Sequence, residues 1–142
     1  MINKVQKSLL QAWVLAVLTI STVGSAIAEQ TDAAATQSAE YKRGRLLYIQ
    51  CRACHDLQPT AVEKVGPNLA GIVGRAAGKA ADFSYSPALL GAKLVWDKAT
   101  LDRWLEKPGA LVPGNMMAFA GVANPADRAA LIRYIEVESA PR

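Results

Sequence analysis

Cys51-Arg52-Ala53-Cys54-His55 is the stretch that decides the fold of this 142-residue chain. The chain has two cysteines and one histidine, and all three lie within this stretch. On one helical turn, two such thiols can each add to a vinyl group of a haem, and the histidine that follows them lies under the iron. The motif therefore predicts one covalently attached haem c, bonded to Cys51 and Cys54, with His55 as a ligand of its iron.

Three alternatives to haem attachment fit the motif less well. A structural zinc site needs four ligands, but the chain has no further cysteine or histidine, and no carboxylates near the motif are spaced to complete the set. A thioredoxin-like pair of thiols needs a βαβ setting, whereas no segment shows the alternation that predicts a strand. A chance match is disfavoured because the only histidine directly follows the second of the only two cysteines.

The N-terminus has the features of an export signal. Lys4 and Lys7 precede a mostly apolar run at residues 9–23, and Ala26 and Ala28 put small residues at the two positions that a signal peptidase recognises. We expect cleavage after Ala28, a periplasmic location and no stable membrane insertion afterwards. The alternative is an uncleaved anchor, but the run is shorter than the about 20 residues that a membrane-spanning helix needs.

The chain divides into three predicted segments. Residues 1–28 form the signal peptide, and residues 29–39 contain no large apolar side chain, which predicts a flexible lead-in. Residues 40–142 then form the single domain that a chain of this length allows. The formal net charge of +4 is too small and too evenly spread along the chain to favour nucleic acid as a partner.

Three main helices are predicted within the domain. The first runs from near Glu40 into the cysteine motif, because apolar residues and glycine recur on one helical face. The other two are bounded by residues that start or stop helices: Asp97 and Pro108 for the second, Asn124 and Pro125 for the start of the last. Residues 56–91 are rich in glycine and proline, and so long a loop is uncommon unless something other than side chains fills its middle. We therefore expect an all-α fold in which three helices and long loops surround one haem.

Met116 and Met117 are the candidates for the sixth iron ligand. They are the only methionines after the first residue, and they lie in a loop with proline and glycine between the second and last predicted helices. Methionine usually fills gaps in a core, but a tight loop that displays two thioethers favours ligation. A His/Met pair raises the reduction potential and leaves no vacant position, which indicates electron transfer rather than oxygen chemistry. No residue is assigned a catalytic role, and an enzyme is not expected.

Five further stretches accompany the haem motif: VGPNLAG with Gly74-Arg75 at residues 65–75, FSYS at 83–86, Trp96, WLEKP at 104–108 and PGNMMAFAG at 113–121. With them the chain resembles the class I cytochromes c, in the branch of the mitochondrial and bacterial c2-type proteins, over residues 40–138. The resemblance implies the cytochrome c fold and a carrier that exchanges single electrons with redox protein partners. Two alternatives stay open: a haem subunit bound permanently to a dehydrogenase or reductase, and an enzyme or gas sensor with an open iron site, which the methionine loop disfavours.

The resemblance also implies roles for individual residues. Met117 would be the axial ligand, and the Pro67 carbonyl would accept a hydrogen bond from the second ring nitrogen of His55. Gly44 and Tyr134 match the pair at which the first and last helices of the family cross. Four residues are implied to support a buried haem propionate, whose charge needs donors: Arg75, Tyr85, Trp96 and Asn115. A solvated position for the arginine and ordinary core packing for the two aromatic residues are the alternatives.

The docking face of the family is usually ringed with lysines around the exposed haem edge, and this chain departs from that pattern. Gln50, Gly109, Ala110 and Met116 stand at several of those positions, and Lys64 is the lysine that remains, with Arg52 nearby. We hypothesise that partners dock more through apolar contact than through long-range electrostatic steering.

Overall fold

We describe the fold from a computed structural model, which describes three parts of the chain: residue 36, residues 38–60 and residues 62–141. All of them fall in one unit, Thr36–Arg142. The signal peptide predicted at residues 1–28, and most of the lead-in predicted at residues 29–39, lie outside the described residues.

The described residues contain five α-helices joined by long loops. In chain order they are α1 (Ala39–Leu47), which continues as a 3-10 turn at Tyr48–Gln50, α2 (Pro87–Gly91), α3 (Lys98–Glu106), α4 (Pro108–Leu111) and α5 (Pro125–Ser139). None of these helices is long and apolar enough to cross a membrane. Apart from one isolated bridge between Ala76 and Val95, this part of the chain has no strand pairing. The all-α prediction is therefore confirmed, with α1, α3 and α5 as the three main helices.

The caps of α3 and α5 form where the sequence predicts them. The Asp97 carboxylate accepts a hydrogen bond from the Thr100 N–H at 2.7 Å, and the Asn124 side chain accepts one from the Ala126 N–H at 2.8 Å. Both caps satisfy N–H groups that have no partner inside the helix. Pro125 follows at the start of α5, where the missing N–H of proline would have been without a helical partner in any case.

Pro108 both ends α3 and starts α4. The residue before a proline is pushed out of the helical region, and Lys107 accordingly has φ −161° and ψ 89°. A new helical turn begins at the proline itself, because proline is well suited to the first helical position. The end of α3 before Pro108 agrees with the prediction from the sequence, whereas α4 was not predicted.

Helices α1 and α5 cross at Gly44, as the resemblance implies. A Cβ at this position would lie 2.0 Å from the Ala130 carbonyl oxygen and 2.7 Å from the Tyr134 Cβ, so only glycine permits this approach. Tyr134 also packs against Tyr41 and Tyr48 of the first helical segment, with ring centroids 5.1 and 5.4 Å apart. The crossing therefore fixes the position of the 3-10 turn and of the cysteine motif that directly follows it.

Apolar side chains of α3 and α5 form the centre of the core. The buried residues at this centre are Leu101, Trp104 and Leu105 of α3, and Leu131, Ile132 and Ile135 of α5. Four of them, the three from α3 and Ile135, also line a cavity. The core is therefore built around that cavity rather than closed on itself.

Candidate functional site

One cavity of about 590 Å³ brings together all nine residues that the sequence predicts to hold the haem or its iron. They come from the segment after α1, from the long loop that leads to α2, from the connection between α2 and α3, and from the loop before α5: Cys51, Cys54, His55, Pro67, Arg75, Tyr85, Trp96, Asn115 and Met117. The other walls include apolar side chains such as Leu69, Ile72 and Phe119. A cavity of this size, with apolar walls and a few convergent polar groups, is typical of a cofactor site.

The imidazole of His55 is held with one nitrogen free for a metal. Its Nδ1 lies 2.8 Å from the Pro67 carbonyl oxygen. Because a carbonyl can only accept, Nδ1 carries the proton and Nε2 keeps its lone pair. Burial lowers the pKa of His55 below its ordinary value, which favours the neutral ring that metal binding requires.

Gly66 lets the backbone close over the edge of that ring. A Cβ at Gly66 would lie 2.3 Å from the Cε1 atom of His55 and 2.9 Å from the Cys54 carbonyl oxygen. Sequence analysis did not single out this residue. The available signal was a glycine directly before Pro67, because glycine marks places where backbone approaches another group closely.

Two neighbouring side chains hold carbonyl groups of the cysteine motif. Lys64 Nζ donates to the Arg52 carbonyl oxygen at 2.8 Å and to the Asp56 carboxylate at 2.7 Å. The Tyr48 hydroxyl donates to the His55 carbonyl oxygen at 3.2 Å. The resemblance places Lys64 on the docking face, and in the structure its ammonium group is bonded to the motif, where Asp56 balances its charge.

Cys51 and Cys54 are free thiols on the cavity wall. Burial, together with the neighbouring Cys54 thiol, raises the pKa of Cys51 to about 11, so this thiol is protonated at neutral pH. Reactive redox cysteines instead have a pKa lowered to about 3.5–7.5, so this environment does not favour the thioredoxin-like alternative. Two thiols and one free imidazole nitrogen in an apolar cavity are the groups that attach a haem c and ligate its iron. The residues present therefore fit haem.

Arg75 and Trp96, two of the residues implied to support a propionate, also form part of the cavity wall. The guanidinium of Arg75 donates to the Ala70 carbonyl oxygen at 2.9 Å and to the Asn68 carbonyl oxygen at 3.0 Å. Because a guanidinium has five N–H donors, it keeps donors for a further acceptor. Trp96 is buried against Trp104, with ring centroids 5.2 Å apart, so it is a core aromatic and a cavity wall at the same time.

Tyr85 and Asn115, the other two of these residues, differ in what they contact. The Tyr85 hydroxyl accepts a hydrogen bond from the Ala80 N–H at 3.3 Å, which leaves its proton to donate. Asn115 instead shapes the methionine loop: its Oδ1 accepts from the Met117 N–H at 3.0 Å, and its Nδ2 donates to the Val112 carbonyl oxygen at 2.8 Å. This second role was not predicted, although asparagine after glycine commonly bonds the backbone of its own turn.

Burial distinguishes the two methionines of the loop. Both line the cavity, but Met116 is 71% exposed, whereas Met117 is half-buried and packs against the hydrophobic core. The residues alone do not decide whether Met116 or Met117 ligates the iron, and the resemblance favours Met117. The ligation itself stays a prediction, and the burial of Met117 favours it.

Comparison with known proteins adds relatives for the whole domain, although no family model matches the chain. The chain is 40% identical over 119 residues to cytochrome c2 of Rhodomicrobium vannielii, an alignment that covers 84% of this chain and 94% of that protein. It is 45% identical over 86 residues to cytochrome c2 iso-2 of Magnetospirillum fulvum, covering 61% of this chain and 88% of the relative. Among solved structures, cytochrome cH from Methylobacterium extorquens matches with a TM-score of 0.63 and 36% identity, covering 68% of this chain and 96% of that one.

Proposed function

Because the chain belongs to the class I c-type cytochromes, we propose that it is an exported electron carrier whose haem iron is ligated by His55 and Met117. The family carries one covalently bound haem c and transfers electrons with redox partners, so the chain is a mono-haem electron-transfer protein. When bound, the haem supplies an iron that alternates between ferric and ferrous states. The observation that carries the proposal is the single cavity lined by both thiols, the oriented imidazole and Met117.

Three observations support His55 and Met117 as the side chains that would ligate the iron. Nε2 of His55 keeps its lone pair because Nδ1 donates to Pro67. The side chain of Met117 lies at the cavity and is half-buried. The backbone on both sides of this residue is held, since the Met117 N–H donates to Asn115 at 3.0 Å and the Met117 carbonyl accepts from Phe119 at 2.9 Å. A fixed thioether in an apolar setting favours a stable sixth ligand and a raised reduction potential.

The polar residues of the cavity are proposed to hold a buried propionate. Arg75 supplies the positive charge, and its orientation is supported by two bonds to backbone carbonyl oxygens. The Tyr85 hydroxyl and the Trp96 indole nitrogen are the further donors, because a buried carboxylate without donors is costly. Asn115 contributes less, since its amide already makes two bonds within the loop.

Export is proposed from the sequence pattern of the first segment. Residues 1–28 would direct the chain to the periplasm and be removed after Ala28, residues 29–39 would form a flexible lead-in, and residues 40–142 would form the haem domain. Sequencing the N-terminus of the protein purified from a periplasmic extract tests the boundary after Ala28, because a mature chain that begins at Met1 would contradict the proposed cleavage.

The redox partner is proposed to dock on an apolar surface at the mouth of the cavity. Val65 and Met116 both line the cavity and are 84% and 71% exposed. Lys64, the cation expected on this face, is paired with Asp56 at 2.7 Å, so it adds little to a long-range field. Charges at the rim of an interface mainly set the association rate and its salt dependence, so docking here depends chiefly on apolar contact.

The same apolar surface favours a second candidate, a haem subunit held permanently by a dehydrogenase or reductase. Exposed apolar side chains that lie together are typical of a surface that a partner covers, and Val65 and Met116 both line the same cavity. Gel filtration of the protein from its native source separates the two functions. A free carrier elutes near the mass of the single chain, whereas a subunit elutes with its enzyme.

An optical spectrum of the exported protein tests the proposal directly. The pyridine haemochrome should show a haem attached through two thioethers, and the ferric protein should show the weak far-red band of iron bonded to thioether sulfur. Attached haem without the far-red band would refute the ligation by Met117 and favour an open iron site. The absence of covalent haem would refute the central assignment of Cys51 and Cys54.

A further inference from the structure

Arg128 is a buried cation at the start of α5, close to the positive end of the helix dipole. That position disfavours a cation, and the residue is only 6% exposed. A buried charge persists only where other groups satisfy it. The contacts of this guanidinium therefore indicate which parts of the fold it stabilises.

The guanidinium of Arg128 joins α3 to the end of the methionine loop. Two of its nitrogens donate to the Asp102 carboxylate on α3, at 2.7 and 3.3 Å. Its third nitrogen donates to the carbonyl oxygens of Val122 and Ala123, at 3.0 and 2.9 Å. These two carbonyls belong to the segment that leaves the loop and enters α5.

Gly121 seats the same segment on the last turn of α3. The Val122 N–H donates to the Leu105 carbonyl oxygen at 2.7 Å, one of the carbonyls that lack a partner inside a helix. A Cβ at Gly121 would lie 2.0 Å from the Glu106 carbonyl oxygen, and φ there is 108°, so glycine is required on both counts. Residues 121–123 are therefore pinned from two sides, by α3 and by Arg128.

We infer that Arg128 is a positioning residue for Met117. Asn115 anchors the entry of the loop through the Met117 N–H, and Arg128 anchors its exit, so the thioether lies on a short stretch between two fixed points. Without the guanidinium, the exit can move away from α3, and the sulfur competes less well for the iron. This inference rests on the proposed ligation by His55 and Met117.

An arginine is needed because one side chain must donate hydrogen bonds to the Asp102 carboxylate on α3 and to two carbonyl oxygens of the loop at the same time. The planar guanidinium presents donors in a rigid fork, so it can bond the carboxylate on one side and the carbonyl oxygens on the other. A lysine has one nitrogen and can keep the charge beside Asp102, but it cannot span the same acceptors. The two residues therefore differ in how firmly they hold the loop.

The test compares Arg128→Gln with Arg133→Gln in the ferric protein with haem attached. Arg133 lies on the same helix and pairs with Glu136 at 3.0 Å, so its loss removes an ion pair from α5 without touching the loop. Imidazole is titrated into each protein, and the loss of the far-red band reports how readily the sulfur is displaced. We expect Arg128→Gln to bind imidazole at least about tenfold more tightly than the wild type, and Arg133→Gln to match the wild type within about twofold.

Arg128→Lys decides the question if the glutamine variant does not accumulate. It should bind imidazole about threefold or more tightly than the wild type, because the charge is kept and the loop contacts are lost. Wild-type affinity in the Arg128 variants, or an equal rise in Arg133→Gln, would overturn the inference. A wild type that lacks the far-red band would instead refute the His/Met ligation, and this inference with it.

Discussion

Replacing Gly44 by alanine perturbs α1 and α5 at the point where they are closest. The new Cβ would lie 2.0 Å from the Ala130 carbonyl oxygen and 2.7 Å from the Tyr134 Cβ. Relaxed contacts between such atoms need about 3.5 Å. Because the obstacle is backbone rather than the end of a flexible side chain, the two helices must separate by about 1 Å or more.

The size of the effect follows from the contacts that this separation disturbs. Overpacking of this kind costs about 1–3 kcal/mol. Tyr134 also loses part of its ring contacts with Tyr41 and Tyr48, which have centroid distances of 5.1 and 5.4 Å, and each such contact is worth about 0.5–1.5 kcal/mol. A loss of about 3 kcal/mol in the free energy of unfolding lowers the Tm of a domain of this size by about 12–24 °C.

Thermal unfolding of the ferric protein, followed by circular dichroism, measures this loss, and Gly91→Ala is the matched control. Gly91 is the last residue of α2, and no atom lies within 4 Å of an added Cβ. Alanine there should be neutral or raise the stability by up to about 1 kcal/mol. A Tm of Gly44→Ala that differs from that of Gly91→Ala by less than about 4 °C would show that the close crossing is not what holds these two helices together.

Three further predictions concern the ligand, the partner and the pH range of the fold. Met117→Leu should abolish the far-red band and open the ferric iron to imidazole, while Met116→Leu should leave the spectrum unchanged; the reverse pattern would exchange the assignments. Stopped-flow electron transfer to the native partner should slow less than about tenfold from low to physiological salt, because Lys64 is paired with Asp56 at 2.7 Å. A fall of roughly a hundredfold would contradict apolar docking. Burial, with the hydrogen bond to Glu138, raises the pKa of Tyr41 to about 12. The neutral phenol therefore stabilises the fold below its unfolded pKa of about 10 and loses this effect as the pH rises towards about 12. Tyr41→Phe should flatten the fall in unfolding free energy across that window, and denaturant titrations that give the same slope for both proteins would disprove this role.

Features decided by a few neighbouring residues were predictable from the sequence. Asp97 and Asn124 cap their helices because a side-chain oxygen reaches an N–H two or three residues away, which is a local matter. The cysteine motif was predictable for the same reason, because its two cysteines and its histidine lie within five consecutive residues. The crossing at Gly44 was predictable only through the resemblance, since nothing near Gly44 in the chain says which carbonyl it meets.

Features decided by distant segments were not predictable in the same way. The resemblance put Lys64 on the docking face, and the sequence could not show that Asp56 and the Arg52 carbonyl lie within reach of its ammonium group. Asn115 is a different case, because its two bonds run to Val112 and Met117 within its own turn, and the resemblance directed attention to the propionate instead. The difference between Met116 and Met117 depends on which side chain the loop turns inward, and adjacent identical residues carry no signal for that.

The cavity at the centre of the core has a consequence for the order of events in biosynthesis. The side chains that line it, Leu101 and Ile135 among them, face a space that only a bound cofactor would fill with packing contacts. The haem would therefore complete the hydrophobic core as well as carry the electron. We expect the native packing of α3 against α5 to become complete only when the haem is attached, so attachment would precede the last step of folding.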